Sequence, residues 1–206
     1  MAPDGNQSDA DLLGAIRQCT ACPSLPLGPR PILQWDRSAP ILIAGQAPGS
    51  RTHHKGIPFD DPSGDRLRSW LGIDRDLFYD SRLFAIVPMA FCFPGTGARG
   101  DLPPPVACAD RWRSRLIDRM TDLRLTIVLG RYAMNWHGMG GGTDLTSEVR
   151  RWRDRLPRSI LLPHPSPRNN RWLQNNPWFE RELLPELRLE VARAIEEFSA
   201  KRNRSG

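Results

Sequence analysis

Four largely apolar runs of strand length constrain the fold of this chain most, at residues 41–44, 84–87, 125–129 and 160–162. Apolar runs without polar alternation are typical of strands covered on both faces, as in a parallel sheet. Helix-type patterns lie between the runs, which favours a doubly wound architecture. We therefore predict an α/β fold, a three-layer α/β/α sandwich around a central, mainly parallel, four-stranded sheet.

Amphipathic patterns indicate the helices between these runs. Ser63 is a candidate N-cap for the first helix, and residues 108–121 place apolar side chains four positions apart in the second. The last predicted helix begins near Pro177 and is interrupted or restarted at Pro185.

The length of the chain predicts one domain. A chain of 206 residues can bury about 70% of its unfolded surface around a single core. We expect this domain over residues 9–198, with flexible ends at 1–8 and 199–206. Nothing in the sequence demands more than a monomer.

The charge balance is basic, which permits nucleic-acid binding. The chain has 29 Lys and Arg against 23 Asp and Glu, and all but Lys55 and Lys201 of the basic residues are arginine. Guanidinium groups match phosphate geometry and stack on bases. A genome that encodes arginine in place of lysine would give the same composition, so the charge alone does not identify a partner.

We expect neither a membrane-spanning segment nor a secretory signal in this sequence. No stretch approaches the roughly 20 apolar residues of a membrane span, and residues 1–10 are polar and acidic. We expect a cytoplasmic protein with no membrane partner. In that reducing compartment, four cysteines are better explained as metal ligands or core residues than as disulfides.

Two polar loops follow the first and the fourth apolar runs. Residues 45–49 read Gly-Gln-Ala-Pro-Gly, and residues 164–169 read His-Pro-Ser-Pro-Arg-Asn. In open α/β sheets, ligands bind beyond the carboxyl ends of the strands. We therefore predict that both loops form one active site, although a histidine between two prolines also suits a simple turn.

These loops resemble motifs of the uracil-DNA glycosylase superfamily. The resemblance rests on residues 45–49, on Gly-Ile-Pro-Phe at 56–59 and on His-Pro-Ser-Pro at 164–167. It extends over residues 19–185. The first loop is closest to the iron-sulfur enzymes of families 4 and 5, whereas the second is more similar to that of SMUG-type enzymes.

The four cysteines extend this resemblance. Cys19, Cys22, Cys92 and Cys108 have spacings similar to those of the 4Fe-4S ligands in the iron-sulfur glycosylases, which implies a structural 4Fe-4S cluster. Such a cluster would tie the N-terminal helix to the loop at 93–107. Structural zinc and reduced, metal-free cysteines remain alternatives.

The resemblance implies a DNA repair enzyme that flips uracil or another deaminated base out of DNA and hydrolyses its N-glycosidic bond, which leaves an abasic site. His164 would donate a hydrogen bond to the departing base, Phe59 would stack on it, and the backbone at Gly45, Gln46 and Ala47 would orient the base or water. The residues expected to contact DNA are Pro48, Ser166, Pro167, Arg168, Asn169 and Arg171.

Two departures from the family pattern affect the chemistry. The first loop carries Gln46 where related enzymes have a carboxylate that activates water, so we expect Asp60 or Asp61 to supply this acid. The weaker candidates are His53 and His54. Pro88 stands where iron-sulfur uracil glycosylases have an asparagine that reads uracil, so the pocket is expected to accept several deaminated bases.

Two other functions fit the same sequence. One is a non-catalytic nucleic-acid-binding relative that lost the water-activating acid. The other is an enzyme of a different class on the same sandwich, such as a small nucleotide hydrolase, because a fold alone does not determine a function.

Overall fold

The four apolar runs form the central sheet of the computed structural model, which describes residues 7–98, 100–140 and 144–205. The strands are parallel and have the order β2-β1-β5-β6. Their bounds are β1 Ile41–Ala44, β2 Phe84–Ile86, β5 Leu125–Leu129 and β6 Ser159–Leu162. The predicted α/β class and four-stranded parallel sheet are confirmed.

The order of the strands creates a switch point at the carboxyl edge of the sheet. From β1 the chain moves outward to β2 and then returns to the other side of β1 to form β5. The connections after β1 and β5 therefore leave in opposite directions, and ligands bind in such a crevice. Residues 45–49 begin at this point.

A small antiparallel hairpin was not expected from the sequence. Strand β3, Thr96–Gly97, pairs with β4, Gly100–Asp101, in the loop between the third and fourth cysteines. These strands consist of two residues each and carry no apolar alternation, which is the main sequence signal for a strand.

The helices flank the sheet on both faces. The helices predicted at 108–121 and from Pro177 are not α-helical throughout. Each contains a π-helical turn, at Ala109–Arg113 and at Phe179–Leu183, which continues into α6 and α10 respectively. The bounds of the α-helices are α1 Asp9–Arg17, α2 Ser50–Lys55, α3 Pro62–Leu71, α4 Arg75–Tyr79, α5 Val106–Cys108, α6 Ser114–Ile117, α7 Gly130–Trp136, α8 Leu145–Arg150, α9 Asn170–Asn175 and α10 Leu184–Ser205.

Asp61, not Ser63, caps α3. The Asp61 carboxylate accepts the backbone N–H of Gly64 at 2.9 Å, and Pro62 occupies the first helical turn. Proline is favourable there because its fixed φ suits the helix and its missing N–H has no helical partner. The helix therefore begins earlier than predicted, close to the motif that contains Phe59.

Two apolar cores separate the three layers. Alternate residues of β1 face opposite sides, so Ile41 and Ile43 pack with α3 and α10, whereas Leu42 packs with α1 and α6. Helix α10 continues through residue 205, over the stretch 199–205 that the sequence predicted to be flexible. The predicted ends at 1–6 and 206 lie outside the described residues. No helix in the described ranges is long and apolar enough to cross a membrane.

Candidate active site

A cavity of about 710 Å³ opens at the carboxyl edge of the sheet. The loops after β1 and β6 form two of its walls. The starts of α2 and α3, the β3–β4 hairpin and Pro88 complete its lining. Both predicted motif loops therefore meet in one concave site, although about 120 residues separate them in the chain. Its lining includes Gly45, Gln46, Ala47, Phe59, Asp61, Asp101 and His164.

Phe59 is held in a strained conformation on one side of this cavity. Its φ of 55° is unusual for a bulky side chain, and the Nη1 of Arg68 donates to its carbonyl oxygen at 3.2 Å. The ring lies against Gly45, where an added Cβ would come within 3.4 Å of Phe59 Cζ. These contacts hold Phe59 in place, and its partly exposed side chain lines the cavity.

His164 follows β6 and is a neutral hydrogen-bond donor. The backbone N–H of Ser166 donates to His164 Nδ1 at 3.2 Å, and Asn169 Nδ2 donates to the His164 carbonyl oxygen at 2.7 Å. Because Nδ1 accepts, the ring proton lies on Nε2. Burial lowers the pKa of His164, while the charges of Asp61 and Asp101 oppose this shift.

Asp60 and Asp61 have different environments. The carboxylate of Asp60 forms ion pairs with Lys55 at 3.0 Å and Arg75 at 2.7 Å, and the hydrogen bonds from Arg75 and then Lys55 lower its pKa. It is not among the described residues that line the cavity. Asp61 lines the cavity, and its bond to Gly64 uses one of its two carboxylate oxygens.

The β3–β4 hairpin is attached to both motif loops. Gln46 Nε2 donates to the Leu102 carbonyl oxygen at 3.1 Å, so this side chain fastens the hairpin to the first loop. Gly100 lies against Arg168 of the second loop, where a Cβ would meet Nη1 at 2.2 Å. The loop at 93–107 therefore has anchors other than its cysteines.

The residues predicted to contact DNA lie in two places. Arg168 lines the cavity and is exposed at its mouth. Arg171 lies on α9, outside this lining. Ser166 is turned toward its own loop, because its Oγ accepts the backbone N–H of Arg168 at 3.3 Å. The cavity lining also includes Pro48, Ser166, Pro167 and Asn169.

Comparison with known proteins gives the family. A model of the uracil DNA glycosylase superfamily matches residues 34–188, most of the chain. The chain belongs to the uracil DNA glycosylase superfamily. Members of this superfamily are glycosylase hydrolases that act on DNA. The matched region contains both motif loops and the hairpin, but it begins after Cys22.

Among solved structures, the chain is similar to a solution NMR structure of a Methanosarcina acetivorans protein that was provisionally named a uracil DNA glycosylase. The two sequences are 19% identical, and the match covers 76% of this chain and 93% of that one with a TM-score of 0.44. The closer resemblance to iron-sulfur and SMUG-type members of the superfamily stays a prediction.

The four cysteines of this glycosylase-superfamily chain surround a separate cavity of about 110 Å³. Trp112 Nε1 donates to Cys19 Sγ and the backbone N–H of Phe91 donates to Cys108 Sγ, each at 3.4 Å. Hydrogen bonds to sulfur are a usual feature around cluster ligands. Within the described ranges, no group of three or more His, Cys, Asp or Glu side chains is arranged to hold a single metal ion.

Burial affects the protonation of these thiols. It raises the pKa of Cys92 and raises that of Cys108 to about 11, so both are neutral thiols at pH 7 without a metal. A bound metal displaces such protons, because only the thiolate is a ligand. The cavity and the N–H donors therefore fit a group with four sulfur ligands.

Three contributors to this superfamily site were missed from the sequence. Asp101 reaches the cavity from the hairpin. Arg66 of α3 holds the second loop, since its Nη1 donates to the Ser166 carbonyl oxygen at 3.1 Å. Gly130 begins α7 beside His164 with a φ of 75°, a conformation that favours glycine. Only Gly130 had a sequence signal, because it directly follows an apolar run.

Proposed function

We propose that this protein is a monofunctional uracil-DNA glycosylase, which hydrolyses the bond between deoxyribose and uracil or another deaminated base and leaves an abasic site. The observation that carries this proposal is the bond from Ser166 N–H to His164 Nδ1, which leaves the ring proton on Nε2 of a histidine that lines one cavity with Phe59 and Asp61. This combination suits a departing base better than a phosphate ester.

Base flipping brings the substrate to this cavity. Extrusion of a nucleotide costs a few kcal/mol of stacking and pairing, least for a mismatched base. Stacking on Phe59 offsets part of this cost, and Arg168 at the mouth attracts the backbone phosphates. We expect Arg171 to contact the duplex beyond the cavity.

His164 stabilises the leaving group. As the C1′–N1 bond breaks, its electron pair moves into the base ring and negative charge grows on the carbonyl oxygen O2. A fixed donor at that atom lowers the barrier because it interacts more strongly with the transition state than with the substrate. The neutral state of His164 suits this role, since the proton remains on Nε2 throughout.

Asp61 activates the water. Its carboxylate accepts a proton as the water oxygen bonds to C1′, and the departing base later takes a proton from solvent. General-base catalysis of this kind typically raises the reaction rate by about a hundred- to ten-thousand-fold. No lysine is among the described residues that line the cavity, so the reaction ends at the abasic site without a lyase step.

We also propose that Cys19, Cys22, Cys92 and Cys108 hold a 4Fe-4S cluster. The cavity between them and the N–H donors of Phe91 and Trp112 support this assignment. The cluster, when bound, cross-links segments that are distant in the sequence and takes no part in glycosidic hydrolysis.

Paired carboxylate variants test the proposed reaction. We expect native protein to make duplexes that contain uracil sensitive to alkali, and Asp61→Asn to slow this at least a hundredfold, because asparagine still caps α3 but cannot take a proton. Asp60→Asn is the matched control and should retain at least a third of native activity. Equal losses in both variants, or full activity of Asp61→Asn, would contradict the assignment of Asp61.

A further inference from the structure

Asp101 places a second carboxylate in the candidate active site. It ends β4 and lines the same cavity as Phe59, Asp61 and His164. Its Oδ2 lies 3.4 Å from the position that a Cβ on Gly49 would occupy, so the carboxylate rests against the backbone of the first loop. This negative charge would repel the phosphates of DNA at the proposed site, so the position of the carboxylate calls for a functional explanation.

The hairpin fixes the position of this carboxylate. Leu102, the next residue, receives a hydrogen bond from Gln46 Nε2 and donates its own N–H to the Gly95 carbonyl oxygen at 2.8 Å. Gly100, the preceding residue, lies against Arg168. The Asp101 carboxylate itself accepts a hydrogen bond from the Thr96 hydroxyl through Oδ1, at 3.5 Å. In the part of the chain that the structure describes, it forms no ion pair.

The other polar groups of the cavity are less suited to read a base. Gln46 donates its amide protons to the hairpin, and Asn169 donates to the His164 carbonyl oxygen. Pro88 also lines the cavity, but its side chain has no polar atom. Asp61 caps α3. The Ser and Thr hydroxyls of the lining can both donate and accept. Among the described lining residues, Asp101 is therefore the carboxylate that does not cap a helix, and such a group can only accept from the edge of the base.

A donor and an acceptor in one cavity match a specific chemical group. The Nε2–H of His164 suits a carbonyl oxygen, and an ionised carboxylate can only accept, so Asp101 suits a ring N–H beside that carbonyl. Uracil contains this pair, because its N3–H adjoins O2. Cytosine keeps O2 but carries a lone pair at N3, which a carboxylate repels.

We propose that Asp101 detects the deamination of cytosine, by accepting the N3–H that appears when cytosine becomes uracil. This inference rests on the proposed glycosylase function and extends it to a substrate class: pyrimidines that carry an N3–H beside O2. A buried polar group discriminates strongly against an analogue with which it cannot form a hydrogen bond. Asp101 lies exposed at the cavity mouth, so its discrimination is expected to be smaller.

Binding to uncleavable duplexes tests this role separately from catalysis. The probes carry 2′-fluoro-deoxyuridine or 2′-fluoro-deoxycytidine opposite the same abasic site, and the ratio of their dissociation constants is compared between proteins. We expect native protein to prefer the uracil probe at least tenfold. Asp101→Asn should reduce this ratio to less than threefold, because an amide can donate to cytosine N3.

Removal of a negative charge raises the affinity for both probes alike. The ratio of the two dissociation constants is therefore unaffected by this general gain. Asp118→Asn, an exposed acid that ends α6, is the matched control and should keep the native ratio. Melting temperatures of both variants verify folding. An unchanged ratio in folded Asp101→Asn would overturn the proposed reading role, even if native protein excises uracil. Retained base preference without excision by native protein would instead refute the glycosylase proposal.

Discussion

At the scale of single residues, His164 and Asp61 divide the proposed reaction between the departing base and the water. Both residues were candidates before the structure was known, because each lies in a short local motif that can be recognised in the sequence. The choice between Asp60 and Asp61 required the structure. Asp60 is paired with Lys55 and Arg75, and these contacts depend on side-chain directions that adjacent positions in a sequence do not reveal.

The protonation of His164 can be measured directly. We expect NMR titration to find the neutral ring protonated at Nε2 and a pKa below the ordinary 6.5, because burial disfavours the charged ring. Between the lowered folded pKa and the ordinary unfolded pKa, the unfolded chain binds more protons. Stability therefore falls as the pH drops through this window, and His164→Gln should remove that contribution. A proton on Nδ1, or a raised pKa, would refute this description.

At the scale of elements, the sheet was predictable and the hairpin was not. Two of the four strands have the predicted bounds and the other two differ by one residue. The sheet was predictable because a strand buried on both faces consists mainly of apolar residues, which are visible in the sequence. The hairpin depends on contacts with Gln46 and Arg168, which are distant in the chain. Asp101 was missed for the same reason.

Two helical glycines should respond oppositely to alanine. Alanine is favoured over glycine in a helix by about 1 kcal/mol, and a Cβ on Gly14 of α1 meets nothing within 4 Å. Gly14→Ala should therefore raise the unfolding free energy by about 0.5–1 kcal/mol. A Cβ on Gly64 of α3 would lie 1.7 Å from the Phe59 carbonyl oxygen. Gly64→Ala should lower the unfolding free energy by about 1–3 kcal/mol and slow excision.

Urea unfolding and uracil excision assays measure these effects. Equal stabilisation by both substitutions would show that Phe59 does not depend on close approach to α3. In that case the strained backbone of Phe59 would have a different cause.

At the scale of the whole molecule, the switch point of the sheet brings the two candidate catalytic loops together. The cysteines connect the N-terminal segment to the rest of the chain around a separate cavity. Cys19 and Cys22 precede the region that matches the superfamily model, whereas Cys92 and Cys108 lie inside it. A cluster would therefore cross-link α1 to the segments that carry the hairpin. This effect on stability is separate from the chemistry in the cavity.

Anaerobic purification tests the cluster. We expect a brown protein with about four iron atoms per chain. Cys108→Ala should lose the colour and lower the melting temperature. Stoichiometric zinc, or a colourless protein without metal, would contradict the iron-sulfur assignment, while uracil excision would remain a separate question.

The most direct test of the glycosylase proposal is mass spectrometry of the products from a duplex that contains one uracil. We predict free uracil and an intact strand with a single abasic site, and a large loss of both products in His164→Ala. Tight DNA binding without uracil release, or a strand cut at a phosphate, would contradict glycosidic hydrolysis at this site.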